Sequence, residues 1–343
     1  MQLRTRTYSG SKSPEVTQRE TDNRRLARRA AAEGIVLMKN EGILPIKKGQ
    51  KAAIYGGGVS HLIKGGTGSG DVNERDVVTI QDGLVQSGVA LINEEAAMRA
   101  PREYMEAKYA WRDRIIDEVN RVQSGSDMNI FAFLKEHPFI EPDNAAIVPQ
   151  EASAADVVIY VISRVAGEGS DRFDREGDYY LSGKEKEELA KLSGYSQNIV
   201  VLINAGAQID LTEIEANPSV KAILNISQGG METGNAVADV LTGAVNPSGK
   251  LTDTWTKQYQ DFPNSATFSH NNGNVETEKY EEGIYVGYRY FDSFGVEVLY
   301  PFGHGLSYTQ FAVRTDEVSC SAGSIRVSVT VTNTGTEYAG REE

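Results

Sequence analysis

The residues best suited to chemistry are 163–172, SRVAGEGSDR, which follow the apolar run DVVIYVI at 156–162. That run is short and rich in β-branched side chains, the pattern of a buried strand. Glu168 therefore stands just past a strand end, held between Gly167 and Gly169. Glycine permits a sharp turn and close approach by another molecule. A glutamate partly shielded from water has a raised pKa and can act as a general acid near neutral pH. Glycosidic bonds need such an acid, because the leaving oxygen must be protonated as the bond breaks. By spacing alone, however, the commoner outcome is a turn whose charges pair locally, with Asp171 and Arg172 as candidate partners.

Other chemistries fit less well. The stretch YGGGVSHLIKGGTGSGD (55–71) is glycine-rich and follows a strand-like run, as a nucleotide-binding loop would. It lacks the GK[ST] ending of a P-loop, and its GGTGSGDV has the wrong spacing for a dinucleotide fingerprint. The next helix is expected only near Thr79, too far on to receive a phosphate. No GxSxG elbow supports a serine hydrolase. His61, His137, His270 and His304 are far apart and have no cysteine partner in a zinc-type spacing, so neither a metal nor another cofactor is expected. A single cysteine, Cys320, cannot form an intramolecular disulfide. The formal net charge of −13 argues against nucleic acid and anionic membranes as partners. No apolar run approaches the roughly 20 residues that span a bilayer. The first residues, MQLRTRTYSGSKSPEV, lack the apolar stretch of a secretory signal, so a cytoplasmic location is expected.

The elements that carry these loops alternate. KAAIYG (51–56), VALIN (89–93), DVVIYVIS (156–163), NIVVLIN (198–204) and KAILNI (221–226) read as strands. Ser182 with Glu185 three residues on is a capping-box pattern, and METGNAVADVL (231–241) stops at Gly243 as a helix would. Such alternation implies a parallel sheet covered on both faces, with its ligand site outside the strands' carboxyl ends. Ahead of it, Ser13-Pro14 reads as the N-cap of a helix whose small and apolar stripe runs through Ala27, Ala30, Ala31, Gly34, Ile35 and Met38. That helix is expected to end at NEGILP (40–45). Residues 94–145 break the rhythm as a helical insertion, with Tyr104, Lys108, Trp111 and Ile115 on one face and Pro101 starting or kinking the helix. Beyond residue 246 the alternation fades. Residues 280–308 are dense in tyrosine and glycine, which suits packing on a domain surface or lining an interface or sugar site. SIRVSVTVTNTG (324–335) alternates like a strand that opens a β-sandwich.

Six motifs occur in one order: ARRAAAEGIVLMKNEGILPI (27–46), GGTGSGDV (65–72), SRVAGEGSDR (163–172), NPSGKL (246–251), YEEGIYVGYRYFD (280–292) and LYPFGHGLSYTQF (299–311). Together they closely resemble the carboxyl-terminal sandwich domain of glycoside hydrolase family 3, the β-glucosidase family, over roughly residues 15 to 311. VSVTVTNTGTEYAGRE resembles the start of that family's fibronectin type III-like domain. The resemblance implies an α/β fold with a six-stranded, mostly parallel sheet sandwiched by helices, and a truncated β-sandwich start at the C-terminus. The expected parts are a helical lead-in (1–45), the sandwich domain (46–260), an aromatic-rich extended segment and linker (261–311), and an incomplete fibronectin-like domain (312–343).

The resemblance also implies a retaining, two-carboxylate mechanism with Glu168 as general acid/base. Ser69, with Gly68, maps onto a loop that reaches the sugar in the −1 subsite. Gly167, Gly169, Asp171 and Arg172 are expected to shape the acid/base loop. In the family, the nucleophilic aspartate and most sugar-binding residues belong to a TIM barrel with SDW-type and KHF-type motifs. Neither motif is present, so no nucleophile is assigned in this chain. The expected partners are a β-linked glucoside or oligosaccharide and a TIM-barrel domain of the same or a neighbouring chain. Self-association into a homo-oligomer is the other way to cover the exposed surface. The economical reading is an amino-terminal piece of an enzyme with reversed domain order, truncated near Glu343 and inactive alone. The alternative is a non-catalytic sugar- or partner-binding module.

Overall fold

The computed structural model describes residues 13–66, 70, 72, 74–122, 133, 136–142, 146–165, 172–268 and 271–335. Six strands form one sheet: β1 (Val36–Asn40), β2 (Lys51–Tyr55), β3 (Ala90–Leu91), β4 (Val157–Arg164), β5 (Ile199–Ala205) and β6 (Val220–Asn225). Their order is β1-β6-β5-β4-β2-β3, with β2 to β6 parallel and β1 antiparallel at one edge. Val158 to Ile162 of β4 and Ile199 to Ile203 of β5 are wholly buried, as near-continuous apolar runs in a doubly covered sheet should be.

Two cores lie on the two faces. One face is covered by α1 (Gln18–Gly34), α3 (Ile80–Gln86), α4 (Glu94–Val122) and α8 (Thr233–Leu241), which bury Ala32, Ile80, Leu84, Ala97 and Val237 against Ile54, Ile159 and Leu202. The other is covered by α5 (Pro149–Ala154), α6 (Gly183–Tyr195) and α7 (Thr212–Ala216), which bury Ala152, Leu192 and Ile214 against Tyr160, Val201 and Ile223. The short helix α2 (Gly57–Ser60) follows β2 directly. Thr79 and Ser182 each cap a helix through a reciprocal box, with Asp82 and Glu185 respectively.

Three expectations are corrected. Helix α1 starts after Thr17, not Ser13. Thr17 and Glu20 close a capping box, while the Ser13 hydroxyl accepts from the Glu15 amide ahead of the helix. The Thr17 backbone and Arg75 hold the Glu20 carboxyl down at about 2. The helix also stops at Gly34, and the next apolar residues form β1. Leu37 joins one core while Val36 and Met38 join the other, the two-residue alternation of a strand. Finally, α4 begins at Glu94, so of the two alternatives for Pro101, starting or kinking the helix, only the first is removed: the proline lies inside it.

Beyond α8, β7 (Trp255–Thr256) pairs with β8 (Val298–Tyr300), and α9 (Tyr288–Phe294) packs Phe291 inward. The tyrosine-rich stretch before it stays open to solvent, with Tyr280 89% and Ile284 75% exposed. β9 (Phe311–Ser321) and β10 (Ser324–Asn333) form an antiparallel hairpin, and β10 is exposed on both faces.

Candidate active site

A cleft of about 430 Å³ opens at the carboxyl ends of β2 and β4, where an α/β sheet is expected to bind. Its floor begins at Gly56, whose φ of +97° turns the chain sharply off β2. A side chain there would put its Cβ 2.4 Å from the Val161 carbonyl, so glycine is required on both counts. The loop then carries Ser60, His61 and Ile63 into the cleft.

Asn204 anchors this loop. It is fully buried at the end of β5 and has no apolar task there. Its amide accepts from the Ile63 amide at 2.7 Å and donates to the carbonyls of Ile63 at 2.8 Å and Ser227 at 2.6 Å. One side chain thus joins the loops after β2 and β6. Farther along, Lys64 closes the glycine-rich stretch by donating to the Val72 carbonyl at 2.7 Å and pairing with Glu74.

The second loop leaves β4 at Val165 and returns at Arg172, and both residues line the cleft. Arg172 holds the two ends together: Nη2 donates to the Val165 carbonyl at 2.9 Å and Nη1 to Asp178 at 2.8 Å. Arg172 is therefore engaged with both Asp178 and the Val165 carbonyl. Arg164, the last residue of β4, forms a fork with Glu185 at 2.6 and 2.5 Å. Glu188 accepts from the Tyr160 hydroxyl at 2.7 Å. Burial, reinforced by Glu188, pushes the Tyr160 hydroxyl well above its ordinary range, so it stays a donor.

Gly167, Glu168, Gly169 and Asp171, together with Gly68 and Ser69, lie outside the described residues. Arg172 is the one expected site residue among those described, and it lines the cleft. The sequence reading missed Asn204, Lys64, Arg164 and Glu185. A polar residue ending an otherwise apolar strand, as in NIVVLIN, was the available signal for Asn204.

The helical insertion supplies a wall. Tyr104 of α4 stacks on His61 with ring centroids 4.4 Å apart, and Phe139 meets Tyr104 edge-on at 5.4 Å. Tyr104, Glu141 and Pro142 all line the cleft. Burial, with a contribution from Glu141, pushes Tyr104 up to about 12. Among the described residues, no group of three or more His, Cys, Asp or Glu is arranged to hold a metal, and no helix is long and apolar enough to cross a membrane.

Residues 35–288 match the family model of the glycosyl hydrolase family 3 C-terminal domain. The chain belongs to glycoside hydrolase family 3. It is 34% identical to β-glucosidase A of Butyrivibrio fibrisolvens over 91% of its own length, which is 40% of that relative. It is 35% identical to a β-glucosidase of Ruminococcus albus, of which it spans 30%. Among solved structures, the fold superposes on β-glucosidase 3B from Thermotoga neapolitana in complex with glucose, with a TM-score of 0.73 and 35% identity. That match covers 92% of this family 3 chain and 42% of the other. A β-glucosidase from Paenibacillus barengoltzii matches with a TM-score of 0.75 and 34% identity, covering 92% of this chain and 33% of that one. The chain therefore spans well under half the length of these relatives.

Proposed function

We propose that this chain supplies the acid/base half of a retaining family 3 β-glucosidase site, acting on a β-linked glucoside or oligosaccharide. The observation that carries this reading is the loop between Val165 and Arg172. Both its ends line the cleft and a single guanidinium ties them together, which supports delivery of Glu168 at the cleft mouth. Glu185 and Glu188 are engaged with Arg164 and Tyr160, so they are poorly suited to transfer protons. In this scheme Glu168 protonates the departing glycosidic oxygen and then, as the carboxylate, takes a proton from the incoming water. Ser69 and Gly68 approach the sugar from the glycine-rich loop, and Gly167, Gly169, Asp171 and Arg172 set the loop's shape.

A retaining glycosidase holds its second carboxyl about 5–5.5 Å from the first, on the other side of the scissile bond. No nucleophile is assigned in this chain, so we assign that carboxyl to a TIM-barrel domain of the same or a neighbouring chain. The chain by itself is expected to turn over no aryl β-glucoside. With a family 3 barrel domain added, hydrolysis of p-nitrophenyl β-glucoside is expected to appear, and Glu168→Gln should lower it by roughly 10²–10⁴. Azide needs no general base, so it should restore turnover in that variant. Full activity of Glu168→Gln would sink the assignment. Binding of the two pieces without hydrolysis would favour the second reading, a non-catalytic sugar- or partner-binding module.

A further inference from the structure

The helical insertion brings a built surface to the cleft. Trp111 and Tyr104 lie two turns apart on α4 and share one face of it. Trp111 Nε1 donates to the His137 carbonyl at 2.9 Å, and its ring packs against Phe139 at 5.8 Å. Tyr104 meets the same Phe139 from the side. The chain returning from the insertion is thus pinned to α4 at His137 and Phe139. Directly afterwards it delivers Glu141 and Pro142 to the cleft. A residue ahead of proline is restricted to extended backbone, which limits how Glu141 can turn away. Beside them stands His61, with one ring face covered by Tyr104. Its imidazole therefore meets the cleft with the other face or an edge.

Three carboxylates, Glu141, Glu185 and Glu188, share the cleft lining with three cations, Arg164, Arg172 and Lys184. The formal charges cancel, so a charged ligand gains little overall. Arg164 pairs with Glu185, Arg172 with Asp178 and Lys184 with Glu188. Glu141 is different. It is exposed, and it has no hydrogen bond or ion pair among the described residues. Its oxygens are the carboxylate acceptors this lining offers to a neutral ligand.

A general acid gives its proton to the glycosidic oxygen, which departs with the leaving group. On the acid/base reading above, on which this step rests, surfaces flanking the 165–172 loop therefore meet the leaving group. An alkyl or aryl leaving group would pack on His61 and Pro142 but leave Glu141 unbonded. A sugar ring gives its C–H face to those two rings and its hydroxyls to the carboxylate. We propose that Glu141 and His61 form a subsite for a leaving sugar, which makes the substrate a β-linked oligosaccharide rather than a glucoside of an apolar alcohol.

The test has two readouts. In the first, the full chain is titrated with cellobiose while the His61 imidazole signals, assigned with a His61→Gln variant, are followed by NMR. Saturable movement of those signals is expected. Glu141→Ala should weaken binding about tenfold, the loss of one hydrogen bond to a charged group, and Glu141→Gln, which keeps an acceptor oxygen, should lose less. Both variants should melt as the wild type does, because Glu141 is exposed. Signals that stay still, or that move equally in Glu141→Ala, would overturn the proposal. In the second readout, hydrolysis is measured with the barrel domain added. Glu141→Ala is expected to lower kcat/KM for cellobiose about tenfold relative to p-nitrophenyl β-glucoside, whose leaving group has no further hydroxyl to bond. An unchanged ratio would overturn the assignment. Complemented enzyme that hydrolyses neither substrate, with His61 signals still moved by cellobiose in a Glu141-dependent way, would remove the acid/base reading and leave the sugar subsite standing.

Discussion

At the scale of single residues, the cleft depends on side chains that do no chemistry. Asn204 satisfies an amide and two carbonyls at once, so Asn204→Leu leaves three backbone groups to find new partners. A loss of about 2–4 kcal/mol is expected in urea unfolding, and a loss below about 0.5 kcal/mol would mean that water replaces the amide there. The candidate motif SRVAGEGSDR could be picked out because its residue types and spacing are local. Asn204 could not, since its partner Ile63 lies 141 positions away in the chain. Arg172 falls between these cases: its place in the motif was legible, but its bond to Asp178 was not. Spacing alone offered Asp171 and Arg172 as candidates for local pairing in the turn; Asp171 lies outside the described residues, and Arg172 pairs with Asp178 six positions on.

At the scale of elements, local signals were dependable where the physics is local. The Ser182 region announced its helix by capping chemistry that four residues complete. The runs KAAIYG, DVVIYVIS, NIVVLIN and KAILNI became β2, β4, β5 and β6 because only a strand buries such short β-branched runs on both faces. β1 escaped notice because its three apolar residues continue the spacing of the helix before it, and only pairing with β6 decides between helix and strand. Packing between elements was also hidden. Helices α3 and α8 cross at Gly83 and Gly234, where a Cβ on Gly234 would sit 1.9 Å from the Thr79 carbonyl. Gly234→Ala is therefore expected to push the helices apart and cost about 3 kcal/mol, measured by urea unfolding. Wild-type stability in that variant would contradict the close crossing.

At the scale of the whole molecule, burial sets the behaviour in alkali. The hydroxyls of Tyr55, Tyr160, Tyr179 and Tyr300 are pushed well above their ordinary range by burial, and those of Tyr104 and Tyr180 to about 12, again chiefly by burial. An unfolded tyrosine ionises near 10. The folded state therefore keeps protons that the unfolded state gives up, and stability falls as the pH rises above 10 and continues to fall through 12. Thermal melts should be flat below pH 10 with respect to these groups and drop steeply beyond it. A melting temperature unchanged between pH 9 and 12 would show that the tyrosines reach solvent. The position of β1 has a consequence of another kind. This strand is flanked by β6 on one side and bridged through Leu37 to Leu306 on the other. Its partner strand begins about 180 residues later in the chain. At ribosomal speeds of 5–20 residues per second, Val36, Leu37 and Met38 wait roughly 10–40 s for a partner. During that time the nascent chain carries an unpaired apolar strand, so the yield of native protein is governed by what shields β1 during synthesis as much as by how well the finished sheet holds it.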